Sequence, residues 1–203
     1  MLKVYHAPNT RSVRIVWLCE ELGLDYEKVA LEFDPKVLQS ENYLKINPLG
    51  KVPSMEEDGL VINESGAIVQ YLLEKTGDKD LQPAPGTPER GRYLHWFHFA
   101  EATLMPPLGN IAQHAFIRPE EKRISAVAEE GKEMAIKILK LLDKELEGRS
   151  YIAGEKFSAA DIMLGYDLLL AKLFGLLTDA MPNVLAYFNR LAERPAFKKA
   201  TGQ

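Results

Sequence analysis

Asn47-Pro48-Leu49-Gly50-Lys51-Val52-Pro53, followed shortly by Asn63-Glu64-Ser65, is the stretch on which the fold of this chain turns. An Asn-Pro, a Leu-Gly and a Val-Pro packed this tightly predict a turn and then an extended bend. Proline fixes its own φ and pushes the residue before it, here Val52, towards extended geometry. Pro53 is the position expected to be cis, since only an X–Pro bond reaches cis at low cost. An extended residue beside a cis-proline offers its backbone N–H and C=O to a strand-like ligand rather than to its own sheet. Glu64-Ser65 then precede the apolar run Ala67-Ile68-Val69 and read as a helix start whose free N–H groups suit a carboxylate. Together the two features describe a cradle for a short peptide with a negative end.

Working outward, residues 2–6 predict a strand and Ala7-Pro8-Asn9-Thr10 a turn. The apolar spacing from Arg11 to Leu22 predicts a helix ended by Gly23. A second strand is expected over Tyr26–Leu31 and a looser helix over Pro35–Ile46. Two further strands, Val52–Glu56 and Leu60–Asn63, flank the hairpin signal Asp58-Gly59, and a helix follows from Ser65 to Lys75. The order β-α-β-α-β-β-α predicts an α/β domain of thioredoxin-like topology over 1–77, with a mixed four-stranded sheet and helices on both faces. Pro, Gly and charge mark 78–88 as a linker. Everything in 89–203 predicts an all-helical domain. Tyr93, Trp96, Phe97, Ala100 and Leu104 form one helix face, which Pro106-Pro107 are expected to bend or end. A long amphipathic stripe runs from Ile124 to Leu146. Ala159–Phe174 is apolar on every side, as a buried central helix should be. Ser158 and Asp161 ahead of it form a capping box, a folding device rather than a catalytic Ser/Asp pair.

With 203 residues, 46% of them hydrophobic and 27% charged, the chain has room for one large domain or two small ones. A net charge of −4 without a basic stripe argues against nucleic acid. One cysteine, Cys19, rules out an internal disulfide or a Cys-x-x-Cys pair; it reads as a core residue. No signal-like or membrane-spanning run stands out, so a cytoplasmic protein with no membrane partner is expected. His95, His98 and Glu101 recur at threes on a helix, but successive positions drift around it. No metal is expected there.

In these elements the chain resembles the cytosolic glutathione transferases, most closely their bacterial and fungal branches. The resemblance runs through Tyr5–Glu21, the Asn47–Pro53 bend, Glu64-Ser65-Gly66-Ala67-Ile68, the capping box and the terminal Arg194-Pro195-Ala196-Phe197. It implies glutathione as co-substrate. Val52, before Pro53, would pair with the cysteinyl part. Glu64 and Ser65 would hold the γ-glutamyl end, and Lys51 and Gln39 would reach the glycine carboxylate.

It also implies a thiol-activating donor near the end of the first strand or the start of the first helix. Thr10 and Ser12, then Asn9, then Tyr5 are the candidates, with Arg11 adding positive charge nearby. Met105, Leu108, Phe116 and Tyr166 are candidates for an electrophile pocket in the helical half. The expected function is a homodimeric detoxifying transferase whose bound thiolate attacks small hydrophobic electrophiles. A glutathione-dependent peroxidase or disulfide-bond reductase of the same fold is the alternative within enzymes. A non-catalytic ligand-binding or assembly module is the alternative outside them.

Overall fold

The structure, a computed structural model, describes residues 1–77 and 80–202. Asp78 and Lys79, at the start of the expected linker, and Gln203 lie outside the described residues. Strand β1 (Leu2–His6) alternates buried Leu2, Val4 and His6 with half-buried Lys3 and Tyr5, the period-two pattern of a strand covered on one face. After it come α1 (Val13–Leu22), β2 (Tyr26–Ala30), α2 (Pro35–Leu38), α3 (Glu41–Leu44), β3 (Ser54–Glu57), β4 (Leu60–Ile62) and α4 (Ser65–Thr76).

The strands form one mixed sheet in the order β2-β1-β3-β4, as the thioredoxin-like pattern requires. β1 lies parallel to β2, joined by the crossover through α1, and antiparallel to β3. Asp58 and Gly59, both at positive φ, close the β3–β4 hairpin.

One helix was expected over Pro35–Ile46, and two short ones occupy it. Ser40 adopts extended geometry and its hydroxyl accepts the Tyr43 N–H at 3.4 Å. A fresh N-cap in mid-segment stops α2 and restarts the helix as α3.

The second half contains α5 (Pro88–Phe99), α6 (Met105–Ile111), α7 (Ser125–Glu145), α8 (Ala159–Leu173), α9 (Pro182–Ala192) and α10 (Pro195–Thr201). π-helical turns at Ala100–Leu104 and Ala112–Ile117 flank α6. Of the two outcomes expected at Pro106-Pro107, a bend or an end, the end does not occur: the helix begun at Pro88 runs on through a π-helical turn into α6. A proline interrupts an α-helix because it lacks an N–H and crowds the carbonyl four residues back. Here the turn before the prolines is widened, with the Met105 N–H reaching five residues back to the Ala100 carbonyl. The prolines then stand in the first turn of α6, where the missing donors cost least. α8 is buried at every position from Ala159 to Ala171, as its all-round apolar sequence requires.

The chain divides into two compact units. One holds Met1–Leu81 and the segment from Ala192 onward; the other holds Gln82–Leu191. The C-terminal helix, expected with the helical half, thus belongs to the first unit, where it packs on α1. Trp17 and Phe197 meet edge to face at 4.9 Å. Arg194 donates from Nε and Nη2 to the two carboxylate oxygens of Glu21, each at 2.6 Å. A bidentate pair of this kind fixes orientation as well as proximity. Because α1 touches β1, α4 and α10, every residue from Val13 to Cys19 is buried, well beyond one amphipathic stripe.

Candidate functional site

The Asn47–Pro53 bend is held by its own side chains. Asn47 accepts the Leu49 N–H at 3.0 Å through Oδ1 and donates through Nδ2 to the Lys51 carbonyl at 2.7 Å. Tyr43 donates to the same carbonyl at 2.7 Å. Gly50 has φ +59°, and a Cβ there would lie 2.6 Å from the Leu38 carbonyl and against the Gln39 side chain. Only glycine fits such a position. The exposed Gln39 side chain thus lies against Gly50, next in sequence to exposed Lys51. The Val52–Pro53 bond is cis, as expected. The β1–β3 register pairs Tyr5 with Ser54, and Ala7 packs with Leu38, Tyr43 and Val52 in one apolar cluster. The chain leaving β1 and the chain entering β3 therefore share one edge of the sheet.

At that edge α1 begins, and the four thiol-activation candidates differ sharply there. Ser12 is fully enclosed. Its hydroxyl lies 2.8 Å from His6 Nδ1 and 2.7 Å from Thr10 Oγ1, and it accepts the Ala7 N–H at 3.1 Å. Thr10 sits at the edge of burial, 9% exposed, and its hydroxyl also lies 2.7 Å from the Ala7 carbonyl. Asn9 is exposed, with φ +56° in the turn. Tyr5 donates to Glu56 at 2.9 Å. Burial first and that carboxylate second push its hydroxyl up to about 12, so the phenolate is disfavoured at neutral pH. Burial, reinforced by Lys28, pushes the His6 imidazole down to about 4. His6 is therefore neutral at pH 7, and His6, Ser12 and Thr10 form a chain of uncharged donors and acceptors.

The α4 start completes this side of the unit. Glu64 is the N-cap residue in extended geometry, exposed, and its side chain does not cap the helix. Ser65 is buried and accepts a 3.0 Å hydrogen bond from Nη1 of Arg14, itself fully buried in the first turn of α1. The bend, the α1 start and the α4 start are thus linked within one unit by hydrogen bonds and apolar contact.

Two family models match this chain: the glutathione S-transferase N-terminal domain over residues 1–74 and the C-terminal domain over residues 104–195. A glutathione S-transferase 3 of Schizosaccharomyces pombe is 31% identical over 98% of this chain and 86% of its own length. The chain belongs to the cytosolic glutathione S-transferase family. Among solved structures, a glutathione transferase of Methylococcus capsulatus superposes with TM-score 0.88 at 26% identity, covering 100% of this chain and 98% of its own. One from Phanerochaete chrysosporium, in complex with oxidized glutathione, superposes with TM-score 0.85 at 27% identity over 98% and 94%.

In this glutathione transferase the candidate pocket residues of the helical unit separate. Met105 and Leu108, one turn apart on α6, are buried, as is Tyr166 on α8. Phe116 is 59% exposed and stacks on Phe174 at 5.4 Å. His95 and His98 line an open recess of about 420 Å³ with Leu94, Phe99, Ala102 and Thr103. Among the described residues no group of three or more His, Cys, Asp or Glu is placed to hold a metal ion. Cys19 is fully buried, and burial pushes its thiol up to about 12, which makes it inert.

Two residues beside the site were not singled out from the sequence, Arg14 and His6. A signal for Arg14 was present: it is a charge inside the apolar run Val13–Leu18. His6 carried only a weak one, hydroxyls four and six residues further on.

Proposed function

We propose that this glutathione transferase binds glutathione along the edge of the first unit and activates its thiol at the start of α1. The γ-glutamyl carboxylate lies on Ser65 and the N-terminus of α4, whose amides and dipole suit an anion, with Glu64 beside the ammonium. Val52 pairs its backbone with the cysteinyl part, and Lys51 and Gln39 meet the glycine carboxylate. Asn9 is exposed and Thr10 is less enclosed than Ser12, and these two are assigned to the sulfur. Ser12 is enclosed and supports Thr10 from behind; Tyr5 is occupied by Glu56. Hydrogen bonding to the thiolate lowers the thiol pKa. The sulfur lone pair then forms a bond to an electrophilic carbon, and the leaving group departs with its electron pair. For an activated alkene, the adduct carbanion takes a proton instead.

The observation that carries this reading is the open α4 start. A buried serine opens a helix whose cap residue withholds its side chain, on the same unit as the Val52–Pro53 bend. Small hydrophobic electrophiles as second substrate, a cytoplasmic location and a homodimer complete the proposal.

Titration of bound glutathione by thiolate absorbance tests it, in wild type and in Thr10→Ala, Ser12→Ala and Tyr5→Phe. A bound thiol that titrates like free glutathione in the wild type would overturn it. Retention on immobilised glutathione with no turnover of a chlorinated aromatic or a hydroperoxide would point to a ligand carrier. Turnover of hydroperoxide alone would point to a peroxidase.

A further inference from the structure

Arg14 stands among the bulkiest fully buried side chains of the described residues, with zero exposure. Enclosing a guanidinium removes it from water at a cost of several kcal/mol before its new bonds are counted. An apolar side chain in the first turn of α1 would avoid that cost. Among what the arginine supplies instead is a hydrogen bond to Ser65 with only one possible direction.

Guanidinium has donors and no acceptor, and it keeps its charge at any ordinary pH. In the 3.0 Å contact from Arg14 Nη1, Ser65 Oγ must therefore be the acceptor. A serine hydroxyl has a single hydrogen. With its oxygen engaged by Arg14, that hydrogen is left to point at another acceptor. Glu64 is the N-cap of α4 and Ser65 its first helical residue, so Ser65 does not stand where a serine oxygen caps the helix. The bond from Arg14 polarises its O–H towards donation.

We infer that Arg14 is a positioning residue for ligand recognition: it sets the Ser65 hydroxyl as a donor to the α-carboxylate of the γ-glutamyl group. This rests on the glutathione site proposed above. Arg14 acts through Ser65 rather than by touching the ligand, and its charge adds to the positive end of α4. The arrangement selects for an anionic group at that end of the ligand. A ligand lacking the carboxylate would leave the Ser65 hydrogen without its partner.

The test compares two ligands by calorimetry: glutathione, and an analogue in which 4-aminobutyryl replaces γ-glutamyl, so that only the α-carboxylate is missing. Proteins are wild type, Arg14→Met, Arg14→Lys, Ser65→Ala and the Arg14→Met/Ser65→Ala pair. Arg14→Met is expected to weaken glutathione by about ten- to hundredfold, the range of one charge-assisted hydrogen bond, with the analogue changed by less than about threefold. Arg14→Lys should lie between wild type and Arg14→Met. The double variant should bind glutathione no more weakly than the worse single one, because both act through one hydroxyl. With a chlorinated aromatic, KM for glutathione should rise while kcat at saturation holds.

Equal weakening of glutathione and analogue by Arg14→Met would reduce Arg14 to a general structural role and overturn the inference, as would unchanged glutathione affinity. Should Arg14→Met not fold, Arg14→Lys decides by the same criterion: selective loss supports the inference, equal or no loss overturns it. If wild type binds glutathione and the analogue equally well, the inference falls while the glutathione site stands. If wild type binds neither, the site itself falls.

Discussion

Two helices of this protein begin at a buried serine, and the two starts are built for opposite ends. At α8, Ser158 is closed upon itself. Asp161 accepts its N–H at 2.8 Å and its hydroxyl at 2.9 Å, and also takes the Ile152 N–H at 3.0 Å and the Tyr187 hydroxyl at 2.7 Å. The Ser158 N–H and hydroxyl and the Asp161 carboxylate are thus engaged inside the unit. At α4, Glu64 provides no side-chain cap, and the Ser65 oxygen accepts from Arg14. A closed start holds a fold together. The open one, on the inference drawn above, presents its hydroxyl to a ligand. Ser158 is the N-cap ahead of α8 and Ser65 the first residue of α4, so a serine at a helix start carries no fixed meaning; its position and the partners of its oxygen decide.

The contrast breaks most visibly at Asp161. Asp161→Ala strips four buried donors of their acceptor and is expected to destabilise the protein by about 4 kcal/mol. Urea unfolding would measure this, and the folded fraction should keep its glutathione affinity. If affinity falls in the folded fraction, the two starts are not independent.

Gly50→Ala should cost about 3 kcal/mol, since it combines positive φ with a backbone clash at Leu38. Because the bend belongs to the edge proposed to bind glutathione, affinity should fall with stability here, unlike at Asp161.

The hydroxyl chain behind Thr10 gives a pH test. His6 is held near 4 in the folded protein against an ordinary 6.5, so between those values the unfolded chain binds the extra proton. Stability should be full above about pH 6.5 and fall on acidification, by about 3 kcal/mol at most once pH reaches 4. Urea titrations at a series of pH values should show this slope in wild type, and His6→Gln should remove it. A slope that survives His6→Gln would assign the titration elsewhere.

The finest comparison sets Ser158→Ala against Ser65→Ala. Each should cost on the order of 1 kcal/mol in stability, the first through a lost cap and the second through a lost acceptor for Arg14. Only Ser65→Ala should change glutathione binding, weakening it at least about tenfold. Equal effects on binding would erase the distinction between the two starts.

Much of this molecule follows from neighbours in sequence. The Asn47–Pro53 bend, the Asp58-Gly59 hairpin and the Ser158/Asp161 box were readable because each depends on backbone geometry within a few residues. Proline, glycine and short polar side chains act at that range. The parallel β1–β2 pairing follows almost as directly, since a helix between two strands leaves room for little else.

What the residues in order could not decide is who meets whom at distance. Ser12 looks as good a thiol donor as Thr10 until burial encloses one and leaves the other at the rim. Pro106-Pro107 read as a bend or a stop until the preceding turn widens to admit them. The terminal helix reads as one more member of the helical half, yet Arg194 finds Glu21 across 173 residues. Arg14 reads as a stray charge in an apolar run until it reaches Ser65, 51 residues away. Local chemistry sets the shape of each turn and cap because few conformations satisfy a short stretch of backbone. Tertiary packing assigns the partners, because a buried donor takes whichever acceptor the fold brings within about 3 Å, and that choice is spread over the whole chain.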